Sequence, residues 1–201
     1  IKRWNQFARI RNASTARKRV KKLLPINVIG GGLAGCEAAY HIANAGVKVK
    51  LWEMRPGHMT PAHHTGQLAE LVCSNSLKSE LPASAQGLLK AEMKSMGSLI
   101  LRCADQARVP AGAALAVDRE LFSALVTGYI ESHPGIELIR AEVDRIKDDE
   151  ITIIATGPLT SEKLFRNLNS LTGEENLFFY DAVAPSVTWE SLDKDKIFKA
   201  S

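Results

Sequence analysis

A glycine-rich segment near the start of the chain could bind a phosphate group. Its six residues are Gly30, Gly31, Gly32, Leu33, Ala34 and Gly35. In this G-x-G-x-x-G spacing the first glycine permits a tight turn, the second lets a pyrophosphate approach the backbone, and the last lets a helix pack closely on a strand. Glu53 follows Gly30 by 23 residues, where an acid can accept hydrogen bonds from a ribose diol. An acid there disfavours a 2′-phosphate, so the pattern favours the ADP-ribose part of FAD or NAD over NADP.

The elements around this motif are those that a dinucleotide site requires. The apolar run INVIG (26–30) predicts a buried strand, and the alanine-rich LAGCEAAYHIANAG (33–46) predicts a helix ending at Gly46. The alternating VKVKLWE (47–53) predicts a second strand. Together they form a βαβ unit, which makes the glycine pattern far more specific than it is alone. A glycine-rich turn without a ligand remains the alternative.

A second strand end could reach the same site. IIATGP (153–158) predicts a buried strand that ends at Thr156 and Gly157. Strands ending in Ala-Thr-Gly occur in flavoproteins with two dinucleotide sites, near the FAD-binding region. The pattern is weak by itself, because Thr-Gly-Pro is also a common turn.

The remaining periodicity predicts an α/β chain. We expect one helix over 87–107 and a helix over 119–132 that begins at Asp118 and buries Leu121, Leu125 and Val126. The other predicted elements are strands at 114–117, 136–146 and 151–157, a helix at 162–170 capped by Ser161, and a strand or turn within LFFYDAVAP (177–185).

Residues 54–85 are predicted to form a long irregular loop, and such loops are usually functional. The segment TPAHHTGQLAELVCSNSL (60–77) holds two adjacent histidines and Cys73. Zinc binding is disfavoured, because no C-x-x-C or H-x₃-H pair completes a site. Cys73 is either a buried structural thiol or, among Ser and Asn donors, a reactive thiolate. Cys36 and Cys103 lie in helical patterns and are interpreted as packing residues.

Composition indicates a globular protein in a reducing compartment. Of 201 residues, 45% are hydrophobic and 24% charged. The three cysteines lack paired spacing, which argues against a disulfide framework. No apolar run is long enough to span a membrane. Residues 1–25 hold nine of the 26 basic residues and no acidic one, so residues 26–201 carry an excess of five acidic residues. The basic segment is interpreted as a disordered extension, with RNA binding or a transit peptide as alternatives.

Several motifs together closely resemble the TrmFO (Gid) family of FAD- and folate-dependent tRNA (uracil-5-)-methyltransferases. They are IGGGLAGCEAA, WEMRP, TPAHHT, ELVCSNSL, GLLKAEM, RVPAGAALAVDRELF and ATGPLTSEKL, spread in order over residues 26 to about 200. The GidA (MnmG) family of tRNA wobble-uridine flavoproteins is a looser relative, which shares the glycine-rich start but lacks the His-His and VCSNSL patterns.

The resemblance implies a Rossmann-like FAD-binding domain of the glutathione-reductase type over residues 26–201, with 54–85 as the active-site loop. It implies FAD as cofactor, NAD(P)H as reductant, methylenetetrahydrofolate as one-carbon donor and the T-loop uridine of tRNA as acceptor, in the cytoplasm. Uracil C5 becomes nucleophilic once a thiolate adds at C6. Family members use a cysteine of their C-terminal half for that addition. The cysteine matching Cys73 lies near the flavin and is implicated in handling the one-carbon unit.

The resemblance covers roughly the N-terminal half of a family member. The uracil-attacking cysteine and the segment that closes over the flavin ring are therefore expected beyond Ser201. Two alternatives remain: a tRNA-modifying flavoprotein of the GidA/MnmG type, and an inactive truncated nucleotide- or RNA-binding module.

Overall fold

The computed structural model describes residues 24–173 and Asp193, and the predictions for residues 1–23 and for LFFYDAVAP lie outside the described residues. The strands are β1 (Ile26–Ile29), β2 (Val49–Trp52), β3 (Ser76–Ser79), β4 (Arg108–Val109), β5 (Ala114–Val117), β6 (Ile136–Ile139) and β7 (Thr152–Ile154). The helices are α1 (Leu33–Asn44), α2 (Ala85–Ser95), α3 (Leu99–Gln106), α4 (Arg119–Glu131) and α5 (Glu162–Thr172). A 3₁₀ turn covers Gly157–Leu159.

A four-stranded parallel sheet forms the centre, in the order β6-β2-β1-β7. β1 pairs with β2 on one side and with β7 on the other. The chain therefore leaves β1 toward one edge of the sheet and later returns to its opposite side. The gap between the carboxyl ends of β1 and β7 is the topological switch point at which open α/β sheets bind ligands. This architecture confirms the predicted Rossmann-like α/β fold.

Side chains alternate between the two faces of the sheet, and each face has its own apolar cluster. Val28 and Leu51 are fully buried in the larger cluster, to which α1, α3 and α4 contribute. Ile29 lies in the smaller cluster with Leu164 and Leu168 of α5. Helices thus cover both faces, as parallel sheets require.

A second, three-stranded antiparallel sheet has the order β3-β5-β4. β3 lies inside the segment predicted to be wholly irregular, so that prediction is wrong over Ser76–Ser79. β3 is a short polar strand that pairs with β5 in antiparallel orientation. Its sequence has no hydrophobic alternation from which a strand could be predicted.

The single helix predicted over 87–107 is wrong, because the segment forms two helices. α2 ends at Ser95 with Met96 as its C-cap, and Gly97 adopts φ +79°. Ser98 starts α3 by accepting a hydrogen bond from the Leu101 N–H at 3.1 Å. Glycine is the residue that adopts this left-handed conformation at least cost, and serine is a favoured N-cap. A glycine that favours the end of one helix and a serine that favours the start of the next are therefore adjacent in the sequence.

Two smaller predictions also need correction. The strand predicted over 136–146 ends at Ile139, and the strand predicted over 151–157 is reduced to β7 before the 3₁₀ turn. Asp118 caps α4 as expected, with its carboxylate 3.0 Å from the Leu121 N–H. Leu121 itself is 47% exposed, while Phe122, Val126 and Ile130 form the buried face. Among the described residues, no helix is long and apolar enough to cross a membrane.

Candidate functional site

A cavity of about 300 Å³ opens at the switch point of the parallel sheet. Its walls include the glycine-rich turn Gly30–Ala34 and the strand end with Thr156 and Gly157. Glu53, Arg55 and His63 line it from the side of the loop that follows β2. The structure therefore brings the two predicted strand ends to one place, beside the N-terminus of α1.

The four glycines of the turn differ in what surrounds them. A Cβ on Gly30, whose φ is +104°, would lie 2.6 Å from the carbonyl oxygen of Ala155. A Cβ on Gly35 would overlap the carbonyl oxygen of Gly30, and one on Gly31 would meet the side chains of Leu68 and Glu53. Gly32 alone of the four has no heavy atom within 4 Å of such a Cβ. Packing within the chain thus explains three of these glycines, whereas the space beside Gly32 is open among the described residues.

The start of α1 offers backbone donors to that space. Gly32 is the N-cap residue of α1 and has an extended backbone. The first N–H groups of a helix lack partners within the helix, and the helix dipole gives this end a positive potential. Together these features form the usual anion site of a dinucleotide fold.

Glu53 is 6% exposed and directly follows β2, which is shorter at both ends than the strand predicted over 47–53. Its carboxylate already accepts four hydrogen bonds: from the Gly31 N–H at 2.8 Å and from the Arg55 N–H, Nε and Nη2 at 3.0, 2.9 and 3.2 Å. Burial opposes ionisation, but the Arg55 and Gly31 hydrogen bonds outweigh it and hold the pKa of Glu53 below its ordinary value. A carboxylate has about four acceptor positions, so a ribose diol would have to share Glu53 with Arg55.

Arg55 connects Glu53 to the rest of the loop. Its side chain is 2% exposed, and its Nη1 lies 2.9 Å from Glu70 Oε2. Glu70 in turn accepts hydrogen bonds from the backbone N–H groups of His64 and Thr65, at 2.9 and 3.2 Å. The burial of Arg55 and Glu70 was not predicted from the sequence, because charged residues in an irregular segment usually face solvent. The only available signal was the position of Arg55 two residues after a strand-ending acid.

The two adjacent histidines have different surroundings. His63 lines the cavity, and its Nδ1 lies 2.6 Å from the Thr60 hydroxyl. Burial, and secondarily the positive charge of Arg55, lower the pKa of His63. The imidazole is therefore neutral at pH 7 and suited to hydrogen bonding with a ligand. His64 is exposed, and it contributes a backbone donor to the loop.

The three cysteines fall into two classes. Cys36 and Cys103 are buried, which confirms their interpretation as packing residues, and burial raises the pKa of their thiols to about 12 and about 11. Cys73 is exposed and follows Val72, which lines the cavity. The alternative of a buried structural thiol is therefore wrong for Cys73. Among the described residues, no group of three or more His, Cys, Asp or Glu side chains is arranged to hold a metal ion.

Comparison with known proteins gives one family and many close relatives. The family model described as glucose inhibited division protein A matches residues 25–201. The methylenetetrahydrofolate–tRNA-(uracil-5-)-methyltransferase TrmFO of Syntrophomonas wolfei is 64% identical over 176 residues, and the alignment covers 88% of this chain and 40% of that protein. The protein of the same name from Moorella thermoacetica is 62% identical over 174 residues, covering 87% and 40%.

Among solved structures, GidA of Aquifex aeolicus superposes with a TM-score of 0.47 at 21% identity, over 65% of this chain and 22% of that one. The present chain spans about two fifths of the length of the curated relatives it matches. The family model, however, covers nearly the whole sequence. The resemblance to TrmFO seen in the sequence is therefore confirmed, and the chain belongs to the family described as glucose inhibited division protein A.

Proposed function

We propose that the cavity at the switch point holds the nucleotide part of FAD. The observation that carries this proposal is the open space beside Gly32, since no neighbouring atom of the described residues accounts for a glycine there. A cavity of about 300 Å³ lies at the lower end of the range for ligand sites, about 300–1,000 Å³. It suits part of a dinucleotide, in keeping with a chain that spans 40% of its relatives.

In this proposal the backbone of Gly31, Gly32 and Leu33 holds the pyrophosphate at the start of α1. Thr156 and Gly157 approach from the other side of the switch point, and Glu53 faces the ribose. The hydrogen bond from Arg55 Nη2 to Glu53 is the longest of its four, at 3.2 Å, so a ribose hydroxyl replaces this one most easily, while the bonds from Arg55 Nε and N–H to Glu53 Oε1 remain. When bound, FAD would supply the redox chemistry of the proposed reaction.

We further propose that the protein, at the full length of its relatives, methylates C5 of the T-loop uridine in tRNA. The one-carbon unit comes from 5,10-methylenetetrahydrofolate and the reducing equivalents from NAD(P)H, and we propose the cytoplasm as the location of the activity. Identity of 53–64% with proteins of this name supports the substrate assignment. Cys73 is the proposed catalytic thiol, because it is exposed and adjoins the wall of the cavity.

Flavin retention tests the cofactor. The purified chain is expected to bind FAD, measured by quenching of flavin fluorescence, and Gly32→Val is expected to abolish binding without unfolding the protein. Gly128→Val is the matched control, because Gly128 also has open space around it but does not line the cavity. Flavin binding by the Gly32 variant, or none by the wild type, would contradict the proposed site.

Methyl transfer tests the reaction and requires the remaining length of the relatives. Cys73→Ala in that longer protein is expected to retain FAD and lose most transfer of the folate carbon to tRNA. Cys103→Ala is the control, since Cys103 is buried away from the cavity. Unchanged turnover in Cys73→Ala would exclude a catalytic role for this thiol.

A further inference from the structure

Arg55 lies at the centre of a buried charge network of which the proposed function uses only Glu53. Its side chain is 2% exposed, and its two carboxylate partners, Glu53 and Glu70, are 6% and 13% exposed. Burying a guanidinium is costly unless its hydrogen bonds are met. Here the fork geometry of arginine spans two carboxylates on different parts of the chain, which the single ammonium of a lysine cannot reproduce.

One side of the network holds the glycine-rich turn. Glu53 Oε2 accepts both the Gly31 N–H, at 2.8 Å, and Arg55 Nη2, at 3.2 Å. The carbonyl of Gly31 accepts the N–H of Ala69 at 2.8 Å. The N–H of Gly31 is therefore bound to Glu53, just before the loop 54–70, and its carbonyl is bound to Ala69, near the end of that loop.

The other side of the network holds the loop itself. Glu70 accepts hydrogen bonds from the N–H of His64, and from the N–H and hydroxyl of Thr65, at 2.9, 3.2 and 2.9 Å. Arg140 donates to the carbonyl oxygens of Arg55 and Gly66, at 3.2 and 2.6 Å. These bonds draw the loop into a closed shape, in which Thr60 and His63 face the cavity.

We propose that Arg55 is a positioning residue that couples the order of the loop 54–70 to the conformation of the glycine-rich turn. When the turn is held in its binding conformation, the loop presents Thr60 and His63 to the cavity. When the loop opens, Glu53 loses the arginine that orients it toward Gly31. Such coupling is reciprocal, so a nucleotide at the turn stabilises the loop. Only the identity of that nucleotide rests on the proposed function.

Glu70 makes this coupling testable, because it does not line the cavity. A change at Glu70 that alters the turn must therefore act through the chain, by way of Arg55 or of the neighbouring Ala69 N–H that binds Gly31, rather than through contact with a ligand. The same effect in Arg55→Lys assigns it to Arg55. The matched control is Arg108, which also bridges two carboxylates but does not line the cavity.

Amide hydrogen exchange, followed by NMR without any nucleotide, measures the coupling directly. Arg55→Lys and Glu70→Gln are each expected to accelerate exchange at Gly31 and at His64 and Thr65 together. The expected acceleration is about ten- to a hundredfold, as for the loss of one hydrogen bond to a charged group. Arg108→Lys should leave all three amides unchanged. Acceleration confined to the loop, or an equal effect of Arg108→Lys, would overturn the proposal; should Arg55→Lys fail to fold, Glu70→Gln decides.

Titration with FAD gives the second measurement. Bound FAD should slow exchange at His64 and Thr65 in the wild type, and Glu70→Gln should weaken FAD binding several-fold. If FAD binds but the loop amides are not protected, the coupling to the cavity is wrong. If the wild type binds no FAD, the proposed cofactor fails, while the exchange of the nucleotide-free protein still decides the coupling.

Discussion

Two arginines in this molecule make the same kind of contact in opposite surroundings. Arg55 and Arg108 each bridge two carboxylates, but their side chains are 2% and 41% exposed. The carboxylates are Glu53 and Glu70 for the first, and Glu80 and Asp105 for the second. The buried network lies beside the cavity, and the exposed network ties α3 and β4 to the segment after β3.

The difference between the two networks shows that ion pairs affect the stability of this fold mainly where they are buried. Water solvates the exposed carboxylates whether or not Arg108 is present, so the exposed network adds little stability. The buried carboxylates have no such alternative, and without Arg55 they would be left as unpaired charges. The buried network therefore holds the loop 54–70 and the glycine-rich turn in one conformation. Its removal is expected to change the conformation of the adjoining cavity.

The largest effect is expected from Gly35→Ala, which disturbs the turn that the buried network holds. The new methyl group would overlap the backbone oxygen of Gly30, which no side-chain movement can relieve. We expect a loss of more than about 4 kcal/mol of unfolding free energy, measured by urea denaturation. Gly128→Ala is the control with the opposite sign: Gly128 lies exposed inside α4 with nothing near its Cβ, so alanine should stabilise by about 0.8–1.0 kcal/mol. A small loss of unfolding free energy in Gly35→Ala would show that β1 and α1 can move apart enough to admit the methyl group.

The next effect is expected from Arg55→Met, which keeps the volume and removes the charge. Breaking a buried ion pair from one side costs about 3–5 kcal/mol, because Glu53 and Glu70 remain in place. Glu70→Gln in the same chain removes one of the two unpaired carboxylates, which returns the network to its wild-type net charge and should recover part of this loss. If Arg55→Met proves as mild as a surface substitution, the buried network contributes nothing beyond its packing.

Acid should narrow the difference between wild type and Arg55→Met. The pKa values of Glu53 and Glu70 lie below the ordinary 4.5 in the folded protein. Their stabilising contribution is thus complete above pH 4.5 and is lost as the pH falls through the folded values. In Arg55→Met the carboxylates stay buried but lose the arginine that lowers their pKa values, so they take up protons at higher pH than in the wild type. Urea denaturation between pH 7 and pH 3 should therefore show a difference that begins to shrink before the wild type loses its own contribution, and that shrinks further as the pH falls through the folded pKa values. A difference that stays constant down to pH 3 would mean that neither carboxylate gains stability from Arg55.

The sequence predicted the part of the site that depends on local pattern. The strand, turn and helix from Ile26 to Asn44 follow from residues that lie next to one another, and the switch point follows once Thr156 and Gly157 are recognised as a strand end. Leu121 was assigned to the wrong face, because burial on a helix is set by the elements that pack against it. The break at Gly97 was missed because apolar periodicity continues across it.

The Arg55 network could not be predicted for a related reason. Arg55 and Glu70 are 15 residues apart in a loop without periodicity, so nothing in the spacing shows that they meet. Their burial depends on the loop folding back onto Gly31, and that closure is a tertiary contact. The same holds for Glu53: its place at the strand end was predictable, while its four hydrogen bonds to the chain's own donors were not.

The smallest effect is expected from Arg108→Met, which completes the comparison. Its contacts with Glu80 and Asp105 are exposed and screened by salt, so the loss should be about 0–1 kcal/mol and should vanish at about 1 M NaCl. Because hydrogen bonds from Arg108 lower the pKa of Glu80, the contribution should also shrink as the pH falls below the ordinary value of 4.5. The loss in Arg55→Met should persist in salt, since a buried pair is screened much less. Equal salt sensitivity of the two variants would mean that solvent reaches Arg55, and that the loop over it opens far more often than its hydrogen bonds indicate.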